Sequence, residues 1–183
     1  LGRYIDLGLL GQGGMGEVRK VRDKILNRNL AMKIINPRFI SSNNAITRFM
    51  EEAQVGAQLQ HANIVPVHEF GRLPDGRYYF TMQEIKGREF SELINSVHSI
   101  STATLWNSSN DGVTFRTLIQ VFHKVCETIA FSHSLGVVHR DLKPENVMIG
   151  DYGEVLVVDW GIAKVLGSSE SNVEVVETDR SEQ

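Results

Sequence analysis

An aspartate, a lysine and an asparagine stand close together in the segment VVHRDLKPENVMI. Asp141 can accept the proton of a hydroxyl group, Lys143 can meet a transferring phosphoryl group, and Asn146 offers a neutral oxygen to a hard cation such as Mg²⁺. Asp159 ends the apolar run VLVV, 18 residues after Asp141, and a carboxylate at a strand end is a natural second metal ligand. These residue types and spacings predict phosphoryl chemistry assisted by a divalent cation.

A glycine-rich segment, GQGGMGEV, lies near the start of the chain and carries Gly11, Gly13 and Gly16. Its backbone N–H groups can surround a phosphate. A dinucleotide-binding fingerprint requires a helix after the glycines, and a P-loop requires Gly-Lys-Ser/Thr. Here Gly16 is followed by Glu17 and Val18, the start of a strand pattern. Taken alone, the segment fits either a hairpin that closes over phosphates or an ordinary glycine-rich hairpin.

A single lysine interrupts the apolar strand pattern LAMKII. Lys33 lies 17 residues after Gly16, and a lysine in such a strand is costly unless it is paired or reaches a ligand. Glu52 lies 19 residues further on, in a predicted helix. It is a candidate partner for Lys33.

The surrounding elements are predicted to be mainly strands in the first third of the chain. Residues 4–35 have the alternation of short strands around glycine turns, and NIVPVHEFGRLPDGRYYFTMQEI reads as two strands around a Pro-Asp-Gly turn. Between them, SSNNAITRFMEEAQVGAQLQ has helical spacing, with Asn43 or Asn44 as the N-cap. FSELINSV predicts a short helix, and the polar residues 95–113 predict an exposed loop.

The clearest helix pattern is TFRTLIQVFHKVCETIAFSHSLG, with Thr114 as its cap and Gly136 at the C′ position. Cys126 is predicted to be a buried small hydrophobe on this helix. NVMIGDYGEVLVVDW then predicts a hairpin around Asp-Tyr-Gly. The apolar face of the helix is predicted to contain Leu118, Val121, Phe122, Val125 and Ile129.

Composition is that of a globular protein with one domain or two small lobes: 183 residues, 42% apolar and 22% charged. The net charge of −3 favours neither a nucleic acid nor an acidic membrane surface as partner. The single cysteine excludes an internal disulfide and suits a reducing compartment, so a cytoplasmic location is expected. No signal-peptide pattern is visible in these residues, and no apolar run approaches the roughly 20 residues that a membrane span needs.

Together these motifs resemble the eukaryotic-type protein kinases, and most of all the bacterial serine/threonine branch. GQGGMGEV, LAMK, HRDLKPEN and DWG match the family's motifs in order and spacing. HANIVPVHEFG and YYFTMQEIKG resemble the segments that follow the αC helix and form the hinge. The resemblance implies an α+β bilobal kinase fold: a complete β-rich N-lobe at 1–82, a hinge at 83–86, and the first part of a helical C-lobe at 87–183.

The resemblance also implies an activity: transfer of the γ-phosphoryl group of Mg-ATP to serine or threonine hydroxyls of a protein. Asp141 would be the catalytic base and Lys143 would stabilise the γ-phosphoryl group, while Asn146 and Asp159 would hold Mg²⁺. Lys33 would hold the α- and β-phosphates, paired with Glu52 or its neighbour Glu51; the spacing to HANIV favours Glu52. Self-association for autophosphorylation is a further expectation.

The same resemblance implies a set of ATP-binding positions. The glycine loop would close over the phosphates. Aliphatic side chains would cover both faces of adenine, and hinge backbone groups would contact its edge beside a gatekeeper, Met82. The implied positions are Leu10, Gly11, Gln12, Gly13, Gly14, Met15, Gly16, Val18, Ala31, Lys33, Met82, Gln83, Ile85 and Met148.

Three departures from the family pattern bear on activity. Trp160 stands where the family has phenylalanine in Asp-Phe-Gly, residues 95–113 make a long connection, and no Ala-Pro-Glu motif precedes Gln183. The chain is therefore expected to stop inside the activation segment and to leave helix 114–135 partly exposed. The alternative function is a catalytically weak or inactive nucleotide-binding fragment or scaffold.

Phosphorylation of the activation segment is a further implication of the resemblance, because Arg140 would pair with a phosphate there. No order of preference among the hydroxyl acceptors follows from the sequence. The candidates are Ser168, Ser169, Ser171, Thr178 and Ser181.

Overall fold

A five-stranded antiparallel sheet forms the first part of the protein in a computed structural model that describes residues 2–102, 105–161 and 163–165. The strands run in the order β1-β2-β3-β5-β4. Helix α1 (Asn43–Gln58) follows β3 and packs on β4. The strands are β1 (Tyr4–Gln12), β2 (Gly16–Asp23), β3 (Arg28–Ile35), β4 (Val67–Arg72) and β5 (Tyr78–Gln83).

The two faces of this sheet carry separate hydrophobic clusters, as the alternation of side chains along a strand requires. On β3, Met32 and Ile34 join the cluster on the face away from α1, whereas Ile35 packs with Phe49 of α1. Lys33 therefore projects from the face that is covered by α1. The position of the lysine opposite the helix follows directly from the period of the strand.

The second part of the protein is built around helices α2 (Phe90–His98) and α3 (Phe115–Ser134). Short strands β6, β8 and β9 form one sheet, and β7 pairs with β10 in another. Val147, Val155 and Val157 from this region share one hydrophobic core with both helices. These strands are β6 (Gly87–Glu89), β7 (Val137–Val138), β8 (Val147–Gly150), β9 (Val155–Val157) and β10 (Lys164–Val165).

The expected α+β kinase-like architecture is confirmed: a strand-rich first region and a second region with α2 and α3. Together with α1 these make three α-helices in the described residues. The ends of α3 are also as expected, because Thr114 caps its N-terminus and Gly136 has a φ of 73° just beyond its last turn. None of the helices in the described ranges has the length and apolarity needed to cross a bilayer.

The expectation for the start of α1 was wrong. Ser42, not Asn43 or Asn44, is the N-cap, because its Oγ accepts a hydrogen bond from the backbone N–H of Ala45 at 3.4 Å. Three adjacent polar residues all have N-cap propensity, so local sequence did not distinguish them.

The predicted face of α3 needs correction at two positions. The buried stripe runs through Leu118, Val121 and Val125 and continues to Thr128 and Ser132. Phe122 and Cys126 each follow a buried residue by one position, which is about 100° around the helix. Phe122 is 58% exposed and Cys126 is exposed as well.

Two further features of α3 and its connection concern exposure. Phe115 and Ile119 are exposed beside Phe122, in line with the expected partial exposure of this helix. The loop predicted at 95–113 begins later, since α2 continues to His98. It is also not uniformly exposed, because Ser109 and Val113 are buried and bonded to each other.

Candidate active site

Lys33 and Glu52 form an ion pair between β3 and α1. Lys33 Nζ lies 2.5 Å from Glu52 Oε1, and the two side chains are only 16% and 10% exposed. Burial raises the pKa of the Glu52 carboxyl, while the Lys33 ammonium acts in the opposite direction. Of the two candidate glutamates, it is Glu52 that reaches the lysine; Glu51 is buried elsewhere on the helix.

Asp159 lies at the edge of this ion pair. Its Oδ1 is 3.9 Å from Lys33 Nζ, and half of its side chain is exposed. The residue has a φ of 63°, an uncommon conformation for a non-glycine residue that turns the chain sharply after β9. At Gly161 an added Cβ would lie 3.2 Å from Glu52 Oε2. The Asp-Trp-Gly segment is thus packed closely against the Lys33–Glu52 pair.

Asp141, Lys143 and Asn146 form a second polar cluster between β7 and β8. Lys143 Nζ donates to Asp141 Oδ2 at 2.8 Å, and Asn146 Nδ2 donates to the same oxygen at 3.1 Å. The hydrogen bond from Lys143 holds the pKa of Asp141 below its usual range, so the carboxylate is ionised at neutral pH. Both hydrogen bonds of Asn146 to Asp141 use the amide nitrogen, which leaves Oδ1 for a cation.

His139 connects the two clusters. Its Nε2 lies 3.0 Å from the carbonyl oxygen of Val158, next to Asp159, and its Nδ1 accepts the backbone N–H of Asp141 at 3.3 Å. Burial lowers the pKa of this histidine, so the neutral ring with hydrogen on Nε2 fits both bonds. Trp160 packs against the imidazole with 4.5 Å between ring centroids. A tryptophan is therefore accommodated at the position where the family has phenylalanine.

The glycines of the loop between β1 and β2 fall into two groups. A Cβ at Gly16 would lie 2.0 Å from the carbonyl oxygen of Ile34, so only glycine allows this approach to β3. Added Cβ atoms at Gly11, Gly13 and Gly14 would meet nothing within 4 Å. Packing within the protein explains Gly16 alone, and the space beside the other three is open.

The predicted adenine-contacting residues lie on four neighbouring strands of the first sheet, on β8, and in the connection that follows β5. Val18 is the cross-strand partner of Lys33, and Ala31 is the partner of Met82, so these side chains share the α1 face of the sheet. Met148 lies on β8, in the second region. Gln83 ends β5, and Leu10 on β1 is half exposed. Ile85 follows in the connection to β6 and is partly buried.

Two contacts near these residues were not expected from the sequence. Lys20 of β2 forms an ion pair with Glu84, with 2.5 Å between Nζ and Oε1. Arg38 donates to the backbone carbonyl of Gly14 in the glycine loop. Their partners lie 64 and 24 residues away in the chain. No local motif signals either contact.

The donor set for a divalent cation is small. The described residues contain no cluster of three or more histidine, cysteine, aspartate or glutamate side chains. The two predicted metal ligands, Asn146 and Asp159, would supply one amide and one carboxylate oxygen. That set fits Mg²⁺, which is usually held by one or two protein ligands together with phosphate oxygens and water.

Comparison with known proteins identifies the class. The family model described as protein kinase domain matches residues 4–180. The chain therefore belongs to the protein kinase family.

Curated relatives carry the name serine/threonine-protein kinase PknD. The protein of Chlamydia trachomatis serovar L2b is 40% identical over 164 residues, covering 88% of this chain and 17% of the relative. That of Chlamydia muridarum is 38% identical over 162 residues, with the same coverage of both chains. That of Protochlamydia amoebophila is 37% identical over 160 residues, covering 87% of this chain and 16% of the relative. The chain thus spans about a sixth of the length of these relatives.

Proposed function

We propose that this chain carries the nucleotide-binding and catalytic residues of a serine/threonine protein kinase. The observation that carries the proposal is the pair of polar clusters joined by His139. One cluster holds a buried cation, Lys33, beside the Asp159 carboxylate. The other holds an ionised aspartate, Asp141, with a lysine and an asparagine bonded to it. Both are parts that phosphoryl transfer to a hydroxyl group requires.

Nucleotide binding is proposed to involve the first cluster and the glycine loop. Lys33 would bind the α- and β-phosphates, and Glu52 would keep its ammonium group fixed in position. Backbone N–H groups of the glycine loop would contact the phosphates, and Val18, Ala31 and Met148 would enclose adenine between them. Asn146 and Asp159 would hold Mg²⁺, which neutralises phosphate charge when bound.

The chemical step is proposed to take place beside the second cluster. The hydroxyl oxygen of the substrate attacks the γ-phosphorus while the bond from that phosphorus to the bridging oxygen of ADP breaks. Asp141 orients the hydroxyl and takes up its proton. Because the pKa of Asp141 is low, we expect the proton to transfer late, once the hydroxyl oxygen has shared its electron pair with phosphorus and its proton has become acidic. Lys143 stabilises the negative charge of the group in transfer.

The test is incorporation of phosphate from Mg-ATP, read by mass spectrometry, in the protein and its Asp141→Asn variant. Phosphoserine or phosphothreonine in the first and not in the second supports the proposal. Bound ATP with no phosphate in either protein would overturn the catalytic function and support the alternative, a nucleotide-binding scaffold. Asp151→Asn, in an exposed turn, is the matched control and should leave incorporation unchanged.

Several finer expectations belong to this proposal. Phosphorylation of one copy of the chain by another would require the two copies to meet. A rate of phosphate incorporation per molecule that rises with protein concentration would support this expectation. The acceptors proposed for it, Ser168, Ser169, Ser171, Thr178 and Ser181, lie outside the described residues. The proposed cytoplasmic location rests on the single cysteine, and fractionation of cells tests it.

A further inference from the structure

Arg38 contacts the glycine loop directly. Its Nη2 donates to the backbone carbonyl of Gly14 at 2.7 Å, across 24 residues of sequence. The neighbouring carbonyl, that of Met15, accepts the backbone N–H of Asn36 at 2.9 Å. Two successive carbonyl groups at the tip of the loop are therefore held by the short segment between β3 and α1.

The Arg38 side chain is itself held in place. Asn36 Oδ1 accepts the Arg38 backbone N–H at 3.1 Å, in a 3₁₀ turn that begins with Pro37. The guanidinium group lies over the ring of Phe39 at 4.6 Å. Phe39 and Met15 both pack against the hydrophobic cluster between the sheet and α1. The donor to Gly14 thus projects from a segment fixed by packing and hydrogen bonds.

The planarity of the peptide bond links this contact to phosphate binding. In a trans peptide the C=O and N–H groups point in opposite directions. When Arg38 fixes the Gly14 carbonyl, it also fixes the Met15 N–H, which points away from the β3–α1 segment. Among the described residues no hydrogen bond takes up the N–H of Gly14 or of Met15. Each of these two N–H groups therefore keeps a hydrogen bond that it can donate to a ligand.

We propose that Arg38 is a positioning residue for phosphate binding, which fixes the Gly14–Met15 peptide with its N–H group facing a nucleotide phosphate. Glycine residues lose much conformational freedom when they become ordered, so a loop that is already held has less to lose on binding. The segment between β3 and α1 thus holds the glycine loop and also leads into the helix that carries Glu52, the partner of Lys33. This inference rests on the proposed nucleotide site.

The test compares adenosine with Mg-ADP, which adds only a diphosphate group and its magnesium ion. Arg38→Met keeps an unbranched side chain that can cover Phe39 but cannot donate to Gly14. We expect Mg-ADP binding, measured by calorimetry, to weaken by about 3- to 10-fold, the size of one hydrogen bond, while adenosine binding stays within about twofold. Arg38→Lys keeps a donor and should largely restore Mg-ADP binding. Arg22→Met removes a different exposed arginine, bonded to Asn27, and should change neither affinity.

Three outcomes would overturn the inference, and they are distinguishable. Unchanged Mg-ADP affinity in Arg38→Met would mean that the contact does not position a phosphate donor. Equal weakening of Mg-ADP and adenosine would mean that Arg38 acts only on the fold. If the protein without substitution bound adenosine but gained nothing from the phosphates of Mg-ADP, the proposed phosphate site itself would be wrong.

Discussion

The two polar clusters of the site are built in different ways. The Lys33–Glu52 pair joins a strand to a helix, and each side chain is more than four-fifths buried. Asp141, Lys143 and Asn146 come from six consecutive residues, and the Asp141 and Lys143 side chains are 38% and 47% exposed. The first cluster exists because the sheet and α1 pack together, whereas the second depends mainly on one loop. Substitutions in the first should therefore affect folding, and those in the second should affect chemistry.

The largest effect is expected at Asp141. Asp141→Asn removes the proton acceptor and should lower the rate of phosphoryl transfer by about 10³-fold, within the range for general-base residues. Stability should change little, because the side chain is at the surface of the loop. Rates from quenched-flow assays and unfolding midpoints in urea check both statements. A stability loss as large as the loss expected for Lys33→Met would contradict the contrast between the clusters.

Breaking the buried pair should destabilise the fold. Lys33→Met leaves the Glu52 carboxylate buried without its cation, and we expect a loss of about 3 kcal/mol in the free energy of unfolding at pH 8. The added substitution Glu52→Gln should recover part of it. Urea denaturation of the single and double variants measures this. Equal stability of the two variants would show that Glu52 is not the group left unpaired.

The pH dependence of Lys33→Met follows from the same pair. Burial raises the pKa of Glu52, and without Lys33 this effect is unopposed. The folded state then binds more protons than the unfolded state above the ordinary carboxyl pKa, so stability falls as pH rises. We expect Lys33→Met to be less destabilised at pH 5 than at pH 8. The added substitution Glu52→Gln should abolish that difference.

Removing Lys143 should change the chemistry without unfolding the protein. Lys143→Met takes away the donor that lowers the pKa of Asp141, so the acid limb of the rate profile should move to higher pH. The rate at neutral pH should fall by about 10²-fold, as for the loss of one donor to transition-state charge. A pH series of single-turnover rates measures both effects. If the acid limb did not move, Lys143 would not be the group that lowers the pKa of Asp141.

The smallest effect is expected at the Lys20–Glu84 pair. Lys20→Glu places two carboxylates together and should cost about 1 kcal/mol; adding Glu84→Lys should restore most of it. The exposed pair Arg88–Asp111 is the matched control, since its side chains are 46% and 41% exposed. The same exchange there should change stability by less than about 0.5 kcal/mol. Thermal unfolding of the four variants, one single and one double at each pair, tests the ranking.

The same contrast explains what the sequence could predict. Asp141, Lys143 and Asn146 could be grouped in advance because a short loop holds them together. The choice of Glu52 as the partner of Lys33 needed the kinase resemblance, because it rested on the spacing from α1 to HANIV in the family pattern. Three contacts depend on how distant segments meet, which no local pattern specifies. They are those of Arg38 with Gly14, of Lys20 with Glu84, and of Trp160 with His139. Phe122 and Cys126 were wrongly predicted to be buried, because a shift of one residue along a helix decides whether a side chain faces the core.

The most direct test of the division between the clusters is Mg-ATP binding to Lys33→Met and Asp141→Asn, measured side by side by calorimetry on folded samples. We predict that Asp141→Asn binds Mg-ATP within about twofold of the unsubstituted protein, while Lys33→Met binds it at least about tenfold more weakly, as loss of a charged hydrogen bond implies. Normal binding by Lys33→Met, or equal loss in both variants, would contradict the assignment of nucleotide binding to the first cluster and of transfer to the second.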